Sequence, residues 1–465
     1  MDSRRVGAGD LFAAVSGSVE DSEHYSVEAV RRGASAVLAR RAFASTVPVW
    51  VVSEARRSAG LAAALVYGEP AQSMFKVGIT GTNGKTTTAH LVGQLLTCAG
   101  FKPAVLGTAG HRLADGLRRA ATHTTPDAPE VQRLLVQHKE FGGNALAMEV
   151  SSHAIAQERH AGIDFDVAVF TNLTRDHLDY HKDFETYLQT KARLFAGLTP
   201  RGTAVLNADD PACPRMAEAA TRAGARVIKY SARSAGDLCA SDVRTDLSGT
   251  DFVLNGMGIS RTKIRVPLTG RYNVENALAA AAAVLVTGAS PSTIVDGLAT
   301  ASAAPGRLEP VATNERGFTL LVDYAHSEDA LSNVCRVLRE SLEARAASAG
   351  RLIVVFGCGG DRDKGKRAPM GRVVQQLADL AIVTSDNPRS EDPAGIIAEI
   401  VAGMDQGGAE RIVEIDRRRA IETAVSRARV GDIVLIAGKG HENTQTIGSQ
   451  VLEFDDRLVA AEALR

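Results

Sequence analysis

A glycine-rich segment that contains one lysine has the residue types and the spacing of a phosphate-binding loop. It runs Thr80-Gly81-Thr82-Asn83-Gly84-Lys85-Thr86-Thr87. Glycines let backbone N–H groups approach phosphate oxygens, lysine can reach the β- and γ-phosphates, and a threonine hydroxyl can ligate Mg²⁺. The match is incomplete, because Ile79 stands where the usual GxxxxGK[ST] pattern has its first glycine. The segment favours a nucleoside-triphosphate site over the alternative, a glycine-rich turn with a solvated lysine.

Acidic and imidazole side chains follow two other apolar runs. Glu149 closes a run that begins at Ala145, and the cluster Asp176-His177-Leu178-Asp179-Tyr180-His181 follows the run at 165–171. Mg²⁺ prefers oxygen ligands and keeps several waters, so Glu149 suits it, whereas His177 is a less usual ligand. Alone, the histidine cluster could be a solvated loop. Beside a phosphate-binding loop, it indicates a metal and phosphate site.

The last third of the chain shows the same arrangement of polar residues after apolar runs. Asp323-Tyr324-Ala325-His326, Asp386-Asn387-Pro388-Arg389 and Gly438-Lys439-Gly440-His441-Glu442 each follow such a run, as does a charged glycine-rich segment at 356–367. Arg389 could bind a carboxylate through two parallel hydrogen bonds. The alternatives are a helix cap in the first segment and a surface turn in the second. Cys358 has no evident base beside it in the sequence and is not favoured as a nucleophile.

These polar residues need strands and helices that bring them to one place. A β-rich run at 74–80 precedes the glycine-rich loop, and a helical stretch that ends at Gly100 follows it. Further apolar runs of strand length lie at 145–150, 165–171 and 203–207. Strands that alternate with helices predict a doubly wound parallel sheet, in which ligands bind outside the carboxyl ends of the strands. The polar clusters are expected at such ends.

Two breaks divide this α/β pattern. Gly68-Glu69-Pro70 follows a region with strands expected at 34–39 and 47–52 and a helix at 27–32, and the pattern restarts after Ala303-Ala304-Pro305-Gly306. We predict an α/β protein of three domains, with a central P-loop domain built on a parallel sheet and a C-terminal Rossmann-like domain. The expected bounds are 1–74, 75–303 and 304–465. In the last domain, strands are expected at 318–322, 352–356, 380–385 and 432–437, and a helix at 327–344.

Composition excludes several classes of protein. Of 465 residues, 53 are Lys or Arg and 54 are Asp or Glu, without the basic surplus typical of nucleic-acid-binding proteins. Five scattered cysteines, with no CxxC pair, fit a reducing cytosol rather than a disulfide scaffold or a zinc finger. The first residues lead into no apolar signal core, and the longest apolar run, 277–286, is about half of a membrane span. We expect a cytoplasmic protein with neither a nucleic-acid nor a membrane partner.

Taken in order, these motifs resemble those of the Mur ligase family over nearly the whole chain. Within the family, the chain resembles the members that add the third residue of the peptidoglycan stem peptide. Further ordered segments support the resemblance. They are Asp2-Ser3-Arg4, Gly9-Asp10-Leu11-Phe12, Thr124-Thr125-Pro126, Glu149-Val150-Ser151-Ser152-His153, Lys191-Ala192-Arg193-Leu194-Phe195, Arg271-Tyr272-Asn273-Val274-Glu275-Asn276 and Pro305-Gly306-Arg307.

The resemblance implies an ATP-dependent amide ligation in peptidoglycan precursor synthesis. ATP would phosphorylate the D-Glu carboxylate of UDP-MurNAc-L-Ala-D-Glu, and an amine of meso-diaminopimelate would attack the acyl phosphate to give the amide, ADP and phosphate. ATP and Mg²⁺ are the implied cofactors, and a monomer is expected. The Asp-Asn-Pro-Arg segment is the family's mark for meso-diaminopimelate, with Arg389 facing the distal carboxylate that lysine lacks. A buried arginine left unpaired is costly, so we expect lysine to be rejected.

The resemblance also implies a role for each matched residue. The implied catalytic residues are Lys85, Lys191, His177 and Asp323, and the implied Mg²⁺ ligands are Thr86, Glu149, His177 and Lys191 as a carbamate. ATP would be bound by Gly81, Thr82, Asn83, Gly84, Lys85, Thr86, Thr87, Asn276, Arg307, Asp323 and His326. The UDP-MurNAc-dipeptide would be bound by Ser3, Thr124, Thr125, Ser151, Gln157 and Arg159. The incoming amino acid would be bound by Arg362, Asp386, Asn387, Arg389, Gly438 and Glu442.

One departure from the family and three alternatives remain. Residues 21–25 read Asp-Ser-Glu-His-Tyr where the family tends to have Asp-Gly, so Ser22 is expected to alter a turn near the uridine. The alternatives are the same ligation with L-lysine, a related ligase such as a folylpolyglutamate or cyanophycin synthetase, and a non-enzymatic scaffold. The Asp-Ser-Arg start and the Asp-Asn-Pro-Arg turn disfavour a related ligase. The presence of Lys85, Glu149 and Lys191 disfavours a scaffold.

Overall fold

The computed structural model describes residues 1–15, 25–313, 316–344, 350–404 and 407–465. Its strands form a three-stranded, an eleven-stranded and a six-stranded sheet, in that order along the chain, and one two-stranded hairpin. Helices pack against the sheets, so the α/β fold class is confirmed. The expected domain bounds at 74/75 and 303/304 stay predictions. Ser22 lies outside the described residues.

The first sheet is small and parallel. It contains β1 (Leu11–Ala13), β2 (Ala36–Ala39) and β3 (Val49–Val51), and it is accompanied by helices α1 (Ser26–Arg31) and α2 (Ala55–Val66). Successive residues of β2 point to opposite faces, so Val37 packs in a core with Phe12, while Leu38 packs in a second core with Ala59 of α2. The helix and the two strands expected in this region lie close to their predicted positions.

The central sheet is mixed. Seven neighbouring strands in its middle are parallel, and antiparallel strands extend it at both edges. The strands are β4 (Phe75–Thr80), β5 (Pro103–Gly107), β6 (Gly110–Arg112), β7 (Arg118–Arg119), β8 (Ala145–Glu149), β9 (Val167–Phe170), β10 (Thr203–Asn207), β11 (Arg226–Ser231), β12 (Leu238–Asp246), β13 (Gly249–Gly256) and β14 (Ile259–Val266). Their order is β14-β13-β12-β11-β10-β9-β4-β8-β5-β6-β7.

The antiparallel edges add to the parallel sheet expected from the sequence. Strands β12 to β14 follow one another through two-residue connections, which only antiparallel neighbours allow. Edge strand β14 has exposed residues at Ser260, Arg261, Lys263 and Arg265 and buried ones at Ile259, Ile264 and Val266, so it meets solvent over much of its length. The middle strands are buried on both faces, and their apolar runs are the ones the sequence reveals.

Helices cover both faces of the central sheet. In β8, Ala145 and Ala147 belong to the core on one face, and Leu146 and Met148 belong to the core on the other. The longest apolar run of the sequence lies in a buried helix of the first core, and no helix in the part of the chain that the structure describes could cross a membrane. The helices of this region are α3 (Lys85–Cys98), α4 (Ala128–Glu140), α5 (Ser152–Ala156), α6 (Leu178–His181), α7 (Phe184–Ala196), α8 (Cys213–Arg222), α9 (Arg271–Leu285) and α10 (Pro291–Ala299).

The third sheet is parallel except for its first strand, and helices lie on both of its faces. Its strands are β15 (Glu309–Val311), β16 (Thr319–Asp323), β17 (Leu352–Phe356), β18 (Leu380–Val383), β19 (Glu410–Val413) and β20 (Ile433–Ala437), in the order β15-β16-β20-β17-β18-β19. The helices are α11 (Glu328–Glu343), α12 (Arg367–Leu377), α13 (Pro393–Val401), α14 (Arg417–Arg427) and α15 (Asp456–Ala463). A hairpin of β21 (Thr444–Ile447) and β22 (Gln450–Glu453) follows β20.

Candidate active site

Strand β4 lies in the middle of the central sheet and leads into the glycine-rich loop. The strand ends one residue before Gly81, and helix α3 begins one residue after Gly84. Gly81 has φ +152° and Gly84 has φ +84°, a region that side chains disfavour. A Cβ atom would also collide with Thr171 at the first position and with Asn276 at the second. Both glycines are therefore required by the shape of the loop.

A half-buried lysine, Lys85, and a buried one, Lys191, converge on this loop. The Nζ atom of Lys85 donates to the carbonyl oxygens of Gly81, at 2.9 Å, and Thr82, at 2.7 Å. The Nζ atom of Lys191, from α7, donates to the same Gly81 oxygen at 2.8 Å and lies 4.6 Å from the centre of the Tyr187 ring. Burial lowers the pKa of both lysines, and the nearby Lys85 charge lowers that of Lys191 further. Two amines thus meet at one carbonyl oxygen of the loop.

Glu149 ends strand β8 and faces the start of α3. Its Oε2 accepts hydrogen bonds from the hydroxyls of Thr86, at 3.1 Å, and Thr108, at 3.2 Å, and its Oε1 accepts from the Thr108 N–H at 2.8 Å. The carboxyl group is 1% exposed. Burial raises its pKa, while the Lys85 charge and the hydrogen bonds lower it. A buried carboxylate and a hydroxyl thus lie side by side at the loop.

His177 lies on a strained turn before α6. Its backbone has φ +54°, and its Nε2 lies 3.4 Å from Oδ2 of Asp176. The centre of its ring is 4.8 Å from that of His153. Burial lowers the pKa of His177 to about 3, so the imidazole is neutral near pH 7. A neutral imidazole has a free lone pair for a metal ion or a proton.

The oxygen atoms around the loop fit Mg²⁺. The Thr86 hydroxyl and the Glu149 carboxylate are hard oxygen donors, which Mg²⁺ prefers. In the described ranges, no three His, Cys, Asp or Glu side chains gather into a metal cluster. Beside nucleotides Mg²⁺ keeps several waters and also takes phosphate oxygens, so the hydroxyl and the carboxylate can complete its coordination.

A cavity of about 210 Å³ opens over the loop. On one side, Asn276 accepts a hydrogen bond from the Thr88 hydroxyl at 3.2 Å. On another, Arg307 donates to the Thr86 hydroxyl at 3.2 Å, and its guanidinium lies 4.9 Å from the centre of the Tyr324 ring. All eleven predicted ATP residues and all four predicted metal residues line this cavity.

Asp323 brings the end of strand β16 into the same cavity. Its carboxylate accepts hydrogen bonds from the N–H groups of Leu308 and Ala325, both at 2.7 Å. Burial raises its pKa, and the Arg307 charge opposes that shift. His326 lies three residues further on, and burial lowers its pKa to about 4. The cavity is thus built from the carboxyl ends of strands in two sheets.

A second cavity, of about 530 Å³, adjoins the first. Thr124, Ser151 and Arg159 line it, as does every residue predicted to bind the incoming amino acid. In one wall, Asn387 Nδ2 donates to Glu442 Oε2 at 2.9 Å. The two cavities have seven lining residues in common: Thr108, Thr124, Ser151, Asp176, His177, Tyr324 and His326.

Three of the residues predicted to bind the UDP-linked substrate line neither cavity. Thr125 lies behind the wall, where its hydroxyl donates to the Glu149 carbonyl oxygen at 2.8 Å. Gln157 accepts hydrogen bonds from the Arg159 guanidinium at 3.0 and 2.7 Å and so orients it. Ser3 lies in a short 3₁₀ helix before β1 and donates to Glu28 at 3.2 Å.

Two lining residues, Thr108 and Lys366, and one residue behind the wall, Lys439, are not among the site residues predicted from the sequence. Thr108, which donates twice to Glu149, follows a short strand in a segment without a distinctive pattern. Lys366 donates to the His326 carbonyl oxygen at 2.9 Å from within the charged segment at 356–367. Lys439 is fully buried next to the second cavity, where it donates to Glu442 at 3.2 Å. Only its position in Gly438-Lys439-Gly440 could have drawn attention to it.

Comparisons with known proteins identify the family. The Mur ligase middle domain matches residues 79–284, and the Mur ligase glutamate ligase domain matches residues 306–440. The chain belongs to the Mur ligase family. These two matches contain the phosphate-binding loop, Glu149, Lys191, Asp323 and Arg389, so most of the lining of both cavities in this Mur ligase belongs to the family's domains.

Within the family, this Mur ligase is similar to two relatives of one name and to one more distant structure. A UDP-N-acetylmuramoyl-L-alanyl-D-glutamate–2,6-diaminopimelate ligase of Syntrophomonas wolfei is 43% identical over an alignment of 469 positions, which covers 100% of this chain and 94% of the relative. A solved structure of a ligase of the same name is 35% identical, with a TM-score of 0.69 over 100% of this chain and 93% of its own. The MurF ligase of Thermotoga maritima, solved in complex with ADP, shares the fold at 20% identity, with a TM-score of 0.66 over 100% of this chain and 95% of its own.

Proposed function

We propose that this Mur ligase joins 2,6-diaminopimelate to the D-glutamyl carboxylate of UDP-N-acetylmuramoyl-L-alanyl-D-glutamate, with cleavage of ATP to ADP and phosphate. The observation that carries the proposal is the common wall of the two cavities, which includes Asp176, His177 and Tyr324. An amide ligase must hold a triphosphate, a carboxylate and an amine within reach of one another. Relatives of this name at 43% and 35% identity support the choice of substrates.

The reaction has two steps, and each forms one bond and breaks another: P–O for P–O in the first, and C–N for C–O in the second. The γ-phosphoryl group of ATP is transferred to the carboxylate, which forms a new P–O bond while ADP leaves. An amine of the diamino acid then attacks the acyl carbon, loses a proton, and displaces phosphate as the C–O bond breaks. Both steps develop negative charge near phosphate oxygens, which fixed positive groups stabilise. Lys85 and Arg307 both line the first cavity and are suited to that role.

Mg²⁺ belongs to the proposal, together with a modified lysine. The ion would be held by Thr86, Glu149, His177 and a carbamate on Lys191. When bound, it would neutralise charge on the phosphates. The amine of Lys191 is suited to carbamate formation, because only an unprotonated amine adds CO₂ and burial lowers its pKa well below the ordinary value. Supply of ¹³C-bicarbonate should therefore give a carbamate resonance in the wild type, and the resonance should be absent from Lys191→Ala.

The remaining roles follow the lining of the cavities. Asn276 and Asp323 would contact the adenine and the ribose of ATP, with His326 nearby, and Arg307 would contact its phosphates. Thr124, Ser151 and Arg159 would contact the dipeptide end of the UDP-linked substrate, with Thr125 and Gln157 as supports. Ser3 would contact the nucleotide end of that substrate. Arg362, Asp386, Asn387, Arg389, Gly438 and Glu442 would bind the diamino acid, with catalysis by Lys85, Lys191, His177 and Asp323.

Specificity for diaminopimelate over lysine would come from Arg389. The guanidinium lines the second cavity, and one arm already donates to the Gly360 carbonyl oxygen at 2.8 Å. The other nitrogens remain available for a distal carboxylate. Lysine has no such group, so its binding would leave the arginine desolvated and unpaired.

The decisive experiment is a ligation assay with ATP, the UDP-linked dipeptide and either meso-diaminopimelate or L-lysine. Phosphate release should require all three substrates, and kcat/KM for lysine should be lower by about 100-fold, the discrimination expected when a buried charged group is left unpaired. Equal turnover of lysine would overturn the specificity. Turnover of a folate in place of the UDP-linked substrate would indicate a related ligase. Lys85→Ala serves as the inactive reference.

Location and assembly are part of the proposal. A substrate linked to UDP and a reaction driven by ATP both favour the cytoplasm, and a single chain contains both cavities, which favours a monomer. Light scattering after size-exclusion chromatography should give the mass of one chain, 49.0 kDa.

A further inference from the structure

A fully buried ion pair joins two helices beside the second cavity. Arg417 is the first residue of α14, and Asp456 is the first residue of α15. Their side chains are both 0% exposed, and the guanidinium donates to the carboxylate through Nε, at 2.8 Å, and Nη2, at 2.7 Å. Neither residue lines the cavity. The pair is therefore not in direct contact with a ligand bound there.

The arginine also donates to the ends of two parallel strands. Its Nη1 donates to the carbonyl oxygen of Ser385 at 3.3 Å, and its Nη2 donates to that of Ala437 at 3.0 Å. These two residues immediately precede the segments at 386–389 and 438–442, which line the second cavity. One guanidinium thus bonds to the last peptide before each segment. Strands β18 and β20 are not neighbours, because β17 lies between them.

The two segments approach each other closely at this point. Gly438 has φ +119°, and a Cβ atom there would lie 2.7 Å from Oδ2 of Asp386 and 3.9 Å from Nη2 of Arg417. From there, the contacts continue into the cavity wall through Asn387 and Glu442, which are 2.9 Å apart. A small change in the separation of the two strand ends would therefore change the positions of the groups that face the cavity.

Local chemistry alone does not favour this arrangement. Helix α14 begins Arg417-Arg418-Arg419, although the amino end of a helix disfavours cations. Burial of an ion pair removes two charges from water, and well-packed apolar residues often stabilise a fold as much or more. Both costs, the cation at the amino end of the helix and the desolvation of the pair, are explained if the guanidinium is needed for hydrogen bonds that apolar residues cannot make.

We propose that Arg417, oriented by Asp456, is a positioning residue that sets the distance between the two segments that bind the incoming diamino acid. The proposal rests on the proposed function for the identity of that ligand. A planar guanidinium suits the task, because its several N–H groups point in fixed directions and can bridge a carboxylate and two carbonyl oxygens at once. Asp456 fixes the plane of the guanidinium. The N–H groups of the guanidinium then fix the positions of the Ser385 and Ala437 carbonyl oxygens.

Three variants separate positioning from simple stabilisation. Arg417→Met with Asp456→Leu replaces both charges by apolar groups, so that no unpaired charge is left and the domain can fold. Arg417→Lys keeps the charge opposite Asp456 but cannot bond to both carbonyl oxygens. The matched control is Arg418→Gln with Glu462→Gln, which removes an exposed ion pair, 2.6 Å long, between the same two helices.

Steady-state kinetics and thermal unfolding then test the proposal. In the apolar double variant, the KM for meso-diaminopimelate should rise by about tenfold or more, while the KM for ATP and for the UDP-linked dipeptide stays within about twofold. Arg417→Lys should show a smaller rise in the same KM, and the control pair should match the wild type. A diaminopimelate KM within twofold of the wild type in the folded double variant would overturn the proposal, as would an equal rise in all three KM values.

Two further outcomes are decided by the same set of proteins. If the double variant does not fold, Arg417→Lys decides by the same ratio of KM values, with the midpoint of thermal unfolding as the measure of folding. Turnover by the wild type tests the proposed function separately. If the wild type used a different amino acid, that function would fail, and the positioning role would be judged by the KM for the amino acid that is used.

Discussion

Arg389 combines an unfavourable backbone with a firmly held side chain. Its φ of +51° lies in a region that costs a non-glycine residue about 1–3 kcal/mol, and such strain is concentrated at binding sites. Its N–H donates to the Thr446 carbonyl oxygen at 3.0 Å, and its own carbonyl oxygen accepts from the Gly448 N–H at 2.6 Å. The hairpin β21–β22 thus holds the backbone at this residue, and the guanidinium is directed to the second cavity.

Arg389→Gln should impair the binding of the diamino acid specifically. Loss of a charge-assisted pair of hydrogen bonds predicts a rise in the KM for meso-diaminopimelate of about 10- to 100-fold, with the KM for ATP unchanged. Initial-rate measurements of phosphate release give both constants. Arg372→Gln, which removes an exposed arginine of α12, is the control and should leave both constants unaltered. An unchanged KM in Arg389→Gln would exclude this residue from the amino-acid site.

Glu275 has a half-buried carboxyl group outside both cavities. Its side chain is 17% exposed, and its Oε1 lies 3.9 Å from Nη2 of Arg233. Burial raises its pKa to about 7, although the Arg233 charge lowers it. In the unfolded chain its pKa would be near 4.5. Folding therefore favours the protonated form of this residue between these two pH values.

The stability of the protein should consequently fall as pH rises through this window. The contribution of Glu275 is fully present below about pH 4.5 and is lost as pH rises through about 7, to a limit of about 3 kcal/mol. Glu275→Gln cannot ionise, so it should be more stable than the wild type at pH 8 and similar to it at pH 5. Urea unfolding at the two pH values measures the difference. Equal pH dependence in both proteins would contradict the prediction, and Glu340→Gln, at an exposed position, is the control.

At the scale of elements, the carboxyl ends of buried parallel strands determine where polar side chains meet. Strands β4, β8 and β16 end at or just before the glycine-rich loop, Glu149 and Asp323, and all three lead into the first cavity. This much was predictable, because apolar runs identify buried strands and parallel strands place their carboxyl ends at one edge. The strands at 203–207 and 352–356 even have the predicted bounds.

Other elements could not be predicted for physical reasons. In β13 the apolar stretch is only Phe252-Val253-Leu254, in β14 the apolar residues are separated by Ser, Arg, Thr and Lys, and the hairpin β21–β22 is largely exposed, so none of these strands forms a long apolar run. Contacts between distant segments were also out of reach. The bonds from Arg417 to Ser385 and Ala437 join residues 32 and 20 positions apart, and nothing in the local sequence indicates them.

The packing of α9 against α3 positions Asn276 beside the phosphate-binding loop. Most of α9 is buried, and its residues 277 and 279–283 are all alanines with no exposed surface. Small side chains let the two helices approach closely. At the amino end of α9, Asn276 accepts from Thr88 of α3 at 3.2 Å. The alanines are therefore part of what holds the nucleotide cavity together.

Ala280→Leu should disturb both the packing and the cavity. Three added carbon atoms in a filled core cost about 1–3 kcal/mol, so the midpoint of unfolding should fall. Displacement of Asn276 should also raise the KM for ATP, with less effect on the KM for the amino acid. Thermal unfolding and initial rates measure the two effects. Ala299→Leu, at an exposed position of α10, is the control and should change neither the midpoint of unfolding nor the KM for ATP. If Ala280→Leu also changed neither quantity, the interface between α3 and α9 would have space for the larger side chain, contrary to this prediction.

At the scale of the whole molecule, positive groups are gathered where anions must bind. The net charge is −1, yet Lys85, Arg307, Lys366 and Arg389 all face one of two adjoining cavities. The cavities lie between the central and third sheets, so the relative position of these two parts controls the active site.

One side chain connects these parts at the phosphate-binding loop. Asp329, in the first turn of α11, accepts hydrogen bonds from Asn83 Nδ2 at 2.6 Å and from the Thr174 hydroxyl at 3.4 Å. Asn83 lies in the loop itself, and its N–H donates to Asn172 at 2.9 Å. The carboxylate thus ties the third sheet's first helix to the loop and to its neighbouring strand end.

Asp329→Ala should loosen the connection between the two parts and so weaken nucleotide binding. Loss of two hydrogen bonds to a charged group predicts a rise in the KM for ATP of about tenfold. The reason is that Asn83 and Thr174 would no longer be held in place beside the nucleotide cavity. A larger radius of gyration in small-angle scattering without ligand should accompany it, since the parts would separate more readily. Glu328→Ala removes an exposed acidic residue from the same helical turn and should leave both quantities unchanged. If Asp329→Ala instead bound ATP more tightly, repulsion between this carboxylate and the phosphates would outweigh its bonds to the loop.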